Sequence, residues 1–165
     1  MKSSINAKAT SDMFKFISKA KGTIQAVNRE VLLEIGRRLV HYSAIGNPLE
    51  WKTAPYWPKG YVPGHFINNW QVGIDQKPRG VIPTIDASGV GSLERMSHLG
   101  RWTVGHTYYF ANNLPYAALL ETGTHSLQVG PMGMVGRVRL EFRQIVKEAE
   151  AKVTAQKLWL KESSK

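Results

Sequence analysis

Five histidines, His41, His65, His98, His106 and His125, are the residues of this chain whose type suits acid–base or metal chemistry. An imidazole titrates near neutral pH and is a common zinc ligand. No two of the five stand at the i, i+4 spacing that would aim both rings from one helix face at one ion, and no cluster of Asp or Glu lies beside them. Each is therefore expected as a surface or packing residue, and no metal site is expected. The chain has no cysteine, which removes thiol nucleophiles, disulfides and Cys-ligated zinc together. A serine nucleophile on a strand-to-helix elbow needs G-x-S-x-G, and Gly91-Ser92 lacks the glycine that should follow. Neither G-x-x-x-x-G-K-[ST] nor G-x-G-x-x-G occurs, so a nucleotide would find no phosphate cradle. The acids are scattered, most of them on helical segments, which does not place two carboxylates across a glycosidic bond. The sequence nominates no catalytic residue and no cofactor.

Charge points to binding instead. Lys and Arg number 22 against 12 Asp and Glu, a formal net charge of +10, and such a field attracts an acidic partner. The basic residues are spread through both halves with no block longer than Arg37-Arg38, and aromatic RNA-platform and zinc-finger patterns are missing. Direct DNA readout is accordingly disfavoured against docking on an acidic protein surface, which uses the same Coulomb attraction. A hydrophobic share of 42% and a charged share of 21% are those of a soluble globular domain. No apolar stretch approaches the roughly 20 residues that cross a bilayer, so no membrane association is expected. The polar opening MKSSINAKATSDMFK lacks the apolar run of a signal peptide, and folding in the cytoplasm is expected.

The elements that must position any site follow from periodicity. Met13, Phe16, Ile17, Ala20, Ile24, Val27, Val31, Ile35, Leu39 and Tyr42 mark one face of a helix over residues 12–42. Gly22 interrupts it at a cost of about 1 kcal/mol. The main helix is therefore expected over 23–42, with Thr23 as its cap and a separate piece before it. Residues 69–75 and 101–112 alternate as half-buried strands, and 81–85 is a weaker edge strand because of Pro83. Leu93, Met96 and Leu99 predict a short helix over 91–99 closed by Gly100. Pro115 suits the first helical position of a turn over 116–121 that ends at Gly123. Val138, Phe142, Ile145, Val146, Ala149 and Val153 mark a second long helix from Met134 to about Gln156. The expected class is α+β, a small antiparallel sheet packed with a long N-terminal and a long C-terminal helix. The expected organisation is an arm over 1–11, one domain over 12–155 and a tail over 156–165, whose plug Leu158-Trp159-Leu160 could dock on another surface.

Residues 43–67 form a long loop with four prolines and with Trp51, Tyr56, Trp57 and Tyr61. Such rings gain free energy only when covered, either by the parent domain or by a neighbour. Trp57→Ala separates these readings: loss of assembly with normal folding marks an interface, and loss of folding marks core. Glu121 precedes Thr122-Gly123-Thr124-His125, where its carboxylate can accept backbone N–H or hydroxyl bonds and fix the loop. That loop is read as a tight structural turn, and as a rigid edge for a neighbouring subunit. Trp51, Tyr56, Trp57, Tyr61, Glu121, Thr124, His125, Gln128 and Trp159 are the interface candidates. Should the Tyr116 ring be buried against the last helix, Tyr116→Ala would cost about 3 kcal/mol or more.

The segment YYFANNLPYAALLETGTHSLQVGPMGMVGRVRLEF resembles the C-terminal half of phage neck and tail-completion proteins, the head–tail joining family that includes minor tail protein Z. In that pattern a strand leads through an Asn-x-x-Pro-Tyr-Ala turn to a Glu-x-Gly loop, then through Ala-Pro-x-Gly-Met into the last helix. Asn112, Asn113, Pro115, Tyr116, Ala117, Glu121, Gly123, Pro131, Gly133 and Met134 match it. Upstream, Gly64, His65, Phe66, Asn69 and Trp70 look like the family's Thr-Gly-x-x-x-x-Asn-Trp lead into a strand, with Pro63 in place of the threonine. The likeness covers residues 60–150. It departs in the Pro- and Trp-rich insertion before Gly64 and in Gln128-Val129-Gly130, where a Gln-Ala precedes the proline. The resemblance implies a non-enzymatic virion component, a hexameric ring of copies of itself between the head-side connector or stopper and the tail tube or terminator. A tail terminator capping the tube is the alternative, and a basic nucleic-acid-binding module a more distant one.

Overall fold

The computed structural model describes residues 7–46, 63–98, 103–122 and 130–162. Trp51, Tyr56, Trp57, Tyr61, Gly123, Thr124, His125 and Gln128 lie outside them; Trp159 lies in the last helix, its side chain outside the description.

The first helix, α1, spans Ala7–His41, a rod of about 50 Å. It runs through Gly22 without interruption, which corrects the expected break. Nothing lies within 4 Å of where a Gly22 side chain would begin, so the glycine marks no close approach. Thr23 is not a cap: its hydroxyl donates to the Lys19 carbonyl at 2.9 Å, the back-bond of a threonine inside a helix.

A single turn over Ile67–Asn69 leads into β1, Trp70–Ile74, so Asn69 closes a turn where a strand position was expected. β1 pairs antiparallel with β2, Tyr108–Asn112, in the register Trp70↔Asn112 to Ile74↔Tyr108. Two strands are marginal alone and need a covering layer. Here α2, Val90–His98, packs on β1, and Leu32, Leu39 and Val40 of α1 join Trp70 and Val72 in the core. α1 and α2 approach closely at Gly36, where a Cβ would stand 2.5 Å from the Met96 sulfur.

Residues 81–85 form no strand. Their backbone groups pair with side chains instead: Ile82 N–H donates to Asn69 Oδ1 at 2.8 Å, and the Ile82 carbonyl accepts from Asn69 Nδ2 at 3.0 Å and His65 Nε2 at 2.9 Å. Asn68 Nδ2 likewise donates to the Thr84 carbonyl at 2.9 Å. The side-chain amides of Asn68 and Asn69 thus pair backbone groups that a third strand would have paired.

α3, Ala117–Glu121, starts two residues after Pro115, with Tyr116 at its N-cap. α4, Gly133–Glu162, is longer at its C-terminal end than expected and packs along α1. The core joins Leu32, Leu39 and Val40 of α1 to Phe66, Trp70 and Val72, to Met96 of α2, and to Met134, Val138 and Ile145 of α4. The fold is α+β, with helices on one small antiparallel sheet. No helix among the described residues is long and apolar enough to cross a membrane.

Candidate interaction surface

Several of the residues that could do chemistry hold backbone instead. Of the histidines, His65 supports the 81–85 segment, His41 lies exposed beside the Tyr42 ring, and His106 Nδ1 meets Asp75 Oδ2 at 2.6 Å on the open surface. Among the described residues no group of three His, Asp or Glu side chains could hold a metal ion. Asp86 caps α2: its carboxylate accepts from the Ser88 hydroxyl at 2.5 Å and from Gly91 N–H at 2.8 Å, which keep its pKa below the ordinary aspartate value. Ser92, fully buried, donates to the Ile67 carbonyl at 2.9 Å.

The motif residues gather at the junctions between elements. Gly64 has φ +106°, and a Cβ there would come within 2.4 Å of the Ala87 backbone nitrogen. Trp70, almost fully buried, donates its indole N–H to Ser43 Oγ at 2.7 Å, and that hydroxyl donates to the Leu39 carbonyl at 2.6 Å; the strand is thereby tied to the end of α1. Asn113 Nδ2 donates to the carbonyls of Pro78 and Gly80 at 3.1 and 3.0 Å. Ala117 packs on the core, Met134 is buried, and Pro131 is exposed. Tyr116 is not buried against the last helix. It is 39% exposed, and its ring lies 6.2 Å from that of Phe66.

Glu121 does accept backbone N–H bonds, but from the far end of its loop. Its Oε2 takes Met134 and Val135 N–H at 3.0 and 3.1 Å, and its Oε1 takes Gly136 N–H at 3.0 Å. A helix leaves its first N–H groups unpaired and its N-terminus partly positive, and a carboxylate answers both. The last residue of α3 thus fixes the start of α4.

Sequence reasoning missed the charge cluster that joins α1 to α4. Arg38 is 16% exposed and donates to Glu34 at 3.1 Å, Glu141 at 2.5 Å and Glu148 at 2.6 Å. Burial works against the Arg38 charge, but its bonds to Glu141 and Glu34 and the nearby Glu148 outweigh that and raise its pKa. Tyr42 donates to Glu141 at 2.8 Å, with the Arg137 guanidinium 5.4 Å from its ring centre. Further along, Lys152 meets Glu30 at 2.5 Å and Lys157 meets Thr23. The partners across the two helices stand about a hundred residues or more apart in sequence, so no local spacing reveals them.

From Ile24 towards the N-terminus the apolar face of α1, and Phe14 beside it, are uncovered. Met13 is 54% exposed, Phe14 63%, Phe16 73% and Ile24 56%, and Ile17 is exposed too. Large apolar side chains are thus exposed along one stretch of a helix. Compared with known protein families, curated proteins and solved structures, the chain matches none.

Proposed function

We propose that the chain is a structural subunit of a tailed-bacteriophage particle, one copy of a hexameric ring that joins the tail to the head between the connector or stopper and the tail tube or terminator. The carrying observation is the apolar stripe of α1 from Met13 to Ile24, left open to solvent at the end of a helix whose other half is fixed to α4. A ring subunit needs a rigid body and an unsatisfied edge that becomes buried on assembly. Glu121 locks α3 to the start of α4, Asn69 and Asn113 pin the 78–82 segment, and Gly64 lets the chain pass close to Ala87, all of which supply rigidity. They are also residues by which the chain resembles neck and tail-completion proteins. No catalytic step belongs to this reading.

Electron microscopy of the purified protein and of particles that contain it tests the proposal. Rings of the protein, and its density at the head–tail junction, are the expected outcome. A chain that stays monomeric and never joins a tail overturns it.

A further inference from the structure

A groove of about 460 Å³ runs between α1 and α4 on the flank opposite the Arg38 cluster. Ile35 and Leu39 of α1, Phe110 of β2, and Val135, Val138 and Phe142 of α4 line it. Val135 is 42% exposed and Phe142 47%, so this apolar surface is open. Arg139 also lines it, and Arg143 and Lys147 follow at four-residue intervals on the exposed side of α4. Four residues of helix advance about 6 Å and turn about 40°, so Arg143 stands one turn on from Arg139 and further out from the groove, and Lys147 lies on the solvent face beyond it. None of the three has an ion-pair partner among the described residues, whereas Arg38 and Lys152 on the other flank are paired.

We propose that this groove docks an acidic amphipathic helix of another protein, its apolar stripe seated between α1 and α4 and its carboxylates at i and i+4 on Arg139 and Arg143. Helix-in-groove recognition uses such apolar anchors, and the charged rim selects the partner. A second copy of this chain is a poor occupant. Each copy carries +10, and its only carboxylates four apart, Glu30 and Glu34, are already paired with Lys152 and Arg38. Duplex DNA fits the cations but not the surface around them, because phosphates would leave Leu140, 69% exposed, and Phe142 uncovered among the contacts. The inference stands on the groove alone and does not need the ring reading.

The test measures fluorescence anisotropy of the full chain with a labelled designed helical peptide carrying a leucine stripe flanked by glutamates at i and i+4. The expected result is binding that weakens with salt and falls by about tenfold in Arg139→Glu/Arg143→Glu and again in Phe142→Ser. All three positions are exposed, so circular dichroism of the variants should match the parent. Equal binding of a peptide with lysines in place of the glutamates overturns the proposal, as does no binding of either peptide. So does a labelled DNA duplex that binds through the same arginines while the acidic peptide does not. Self-association in sedimentation that Phe142→Ser abolishes would make a second copy the occupant and overturn it too. Whether the protein sits in a tail is read separately by microscopy, so either idea can fail without the other.

Discussion

Glu121 closes over Gly133: its carboxylate holds the first turn of α4, and a Cβ on Gly133 would stand 2.1 Å from the Glu121 carbonyl oxygen and 2.5 Å from its Oε1. Gly133 has φ +63°, a region that side chains other than glycine's rarely enter. Gly133→Ala therefore meets strain and collision together and should cost about 3 kcal/mol in urea unfolding. Glu121→Ala leaves three backbone N–H groups without their acceptor and should cost about 1–2 kcal/mol, with faster amide exchange at residues 134–136. Glu121→Gln, which keeps one oxygen, should fall between that and the parent.

Asn69 is fully buried and uses both ends of its amide: Oδ1 accepts from Ile82 N–H, and Nδ2 donates to the His65 and Ile82 carbonyls. Asn69→Ala should cost about 3 kcal/mol, since several buried polar groups lose partners at once. Asn69→Asp should be worse despite its matching shape, because it sets an acceptor against two carbonyls. An Asp variant as stable as the parent would contradict this hydrogen-bond assignment.

Two glycines at close contacts should respond differently. At Gly64 a Cβ meets the Ala87 backbone at 2.4 Å, and φ is +106°. Gly64→Ala should thus lose about 3 kcal/mol or fail to fold. At Gly36 the obstacle is the Met96 sulfur at 2.5 Å, the far end of a flexible side chain, and alanine also favours helix over glycine by about 1 kcal/mol. Gly36→Ala should be close to neutral in thermal unfolding.

The Arg38 cluster sets the expected pH dependence. The Arg38 hydrogen bond, then that of Tyr42, holds the Glu141 pKa below the ordinary glutamate value of 4.5. A depressed folded-state pKa contributes stability that is present above pH 4.5 and lost as pH falls through the folded value. Tyr42 is raised above 10.0, first by burial and then by its bond to Glu141, so its contribution is present below pH 10.0 and lost as pH rises through the folded value. Stability should be flat at intermediate pH and fall at both ends. Glu141→Gln should shrink the acid-side fall and Tyr42→Phe the alkaline one. Arg38→Met leaves Glu34, Glu141 and Glu148 facing one another and should cost about 1–2 kcal/mol at neutral pH, a figure discounted for screening of the partly exposed glutamates.

Periodicity made much of this fold legible because it reports which face of an element is covered. Met96 and Val138 stood on predicted apolar faces and are buried. It does not report how far the cover reaches. Phe16 and Ile24 lie on the same stripe as Leu39, yet α4 leaves them open, and Phe142 sits at the mouth of a groove. Local rules also misjudged Gly22, where a cost of about 1 kcal/mol did not stop a helix of 35 residues. They misjudged residues 81–85, whose alternation gained asparagine partners in place of a strand.

By itself the sequence determined the α+β class, the two long helices, the approximate pair of strands and the acid at Glu121 that could fix a loop, because each follows from side-chain type and spacing within one segment. Tertiary structure alone decided that Glu121 holds the first turn of α4, that Arg38 gathers glutamates from two helices, and that Arg139 lines an open groove. These pairings join residues distant along the chain. Their geometry exists only once α1, α3 and α4 have packed, and no local preference encodes it.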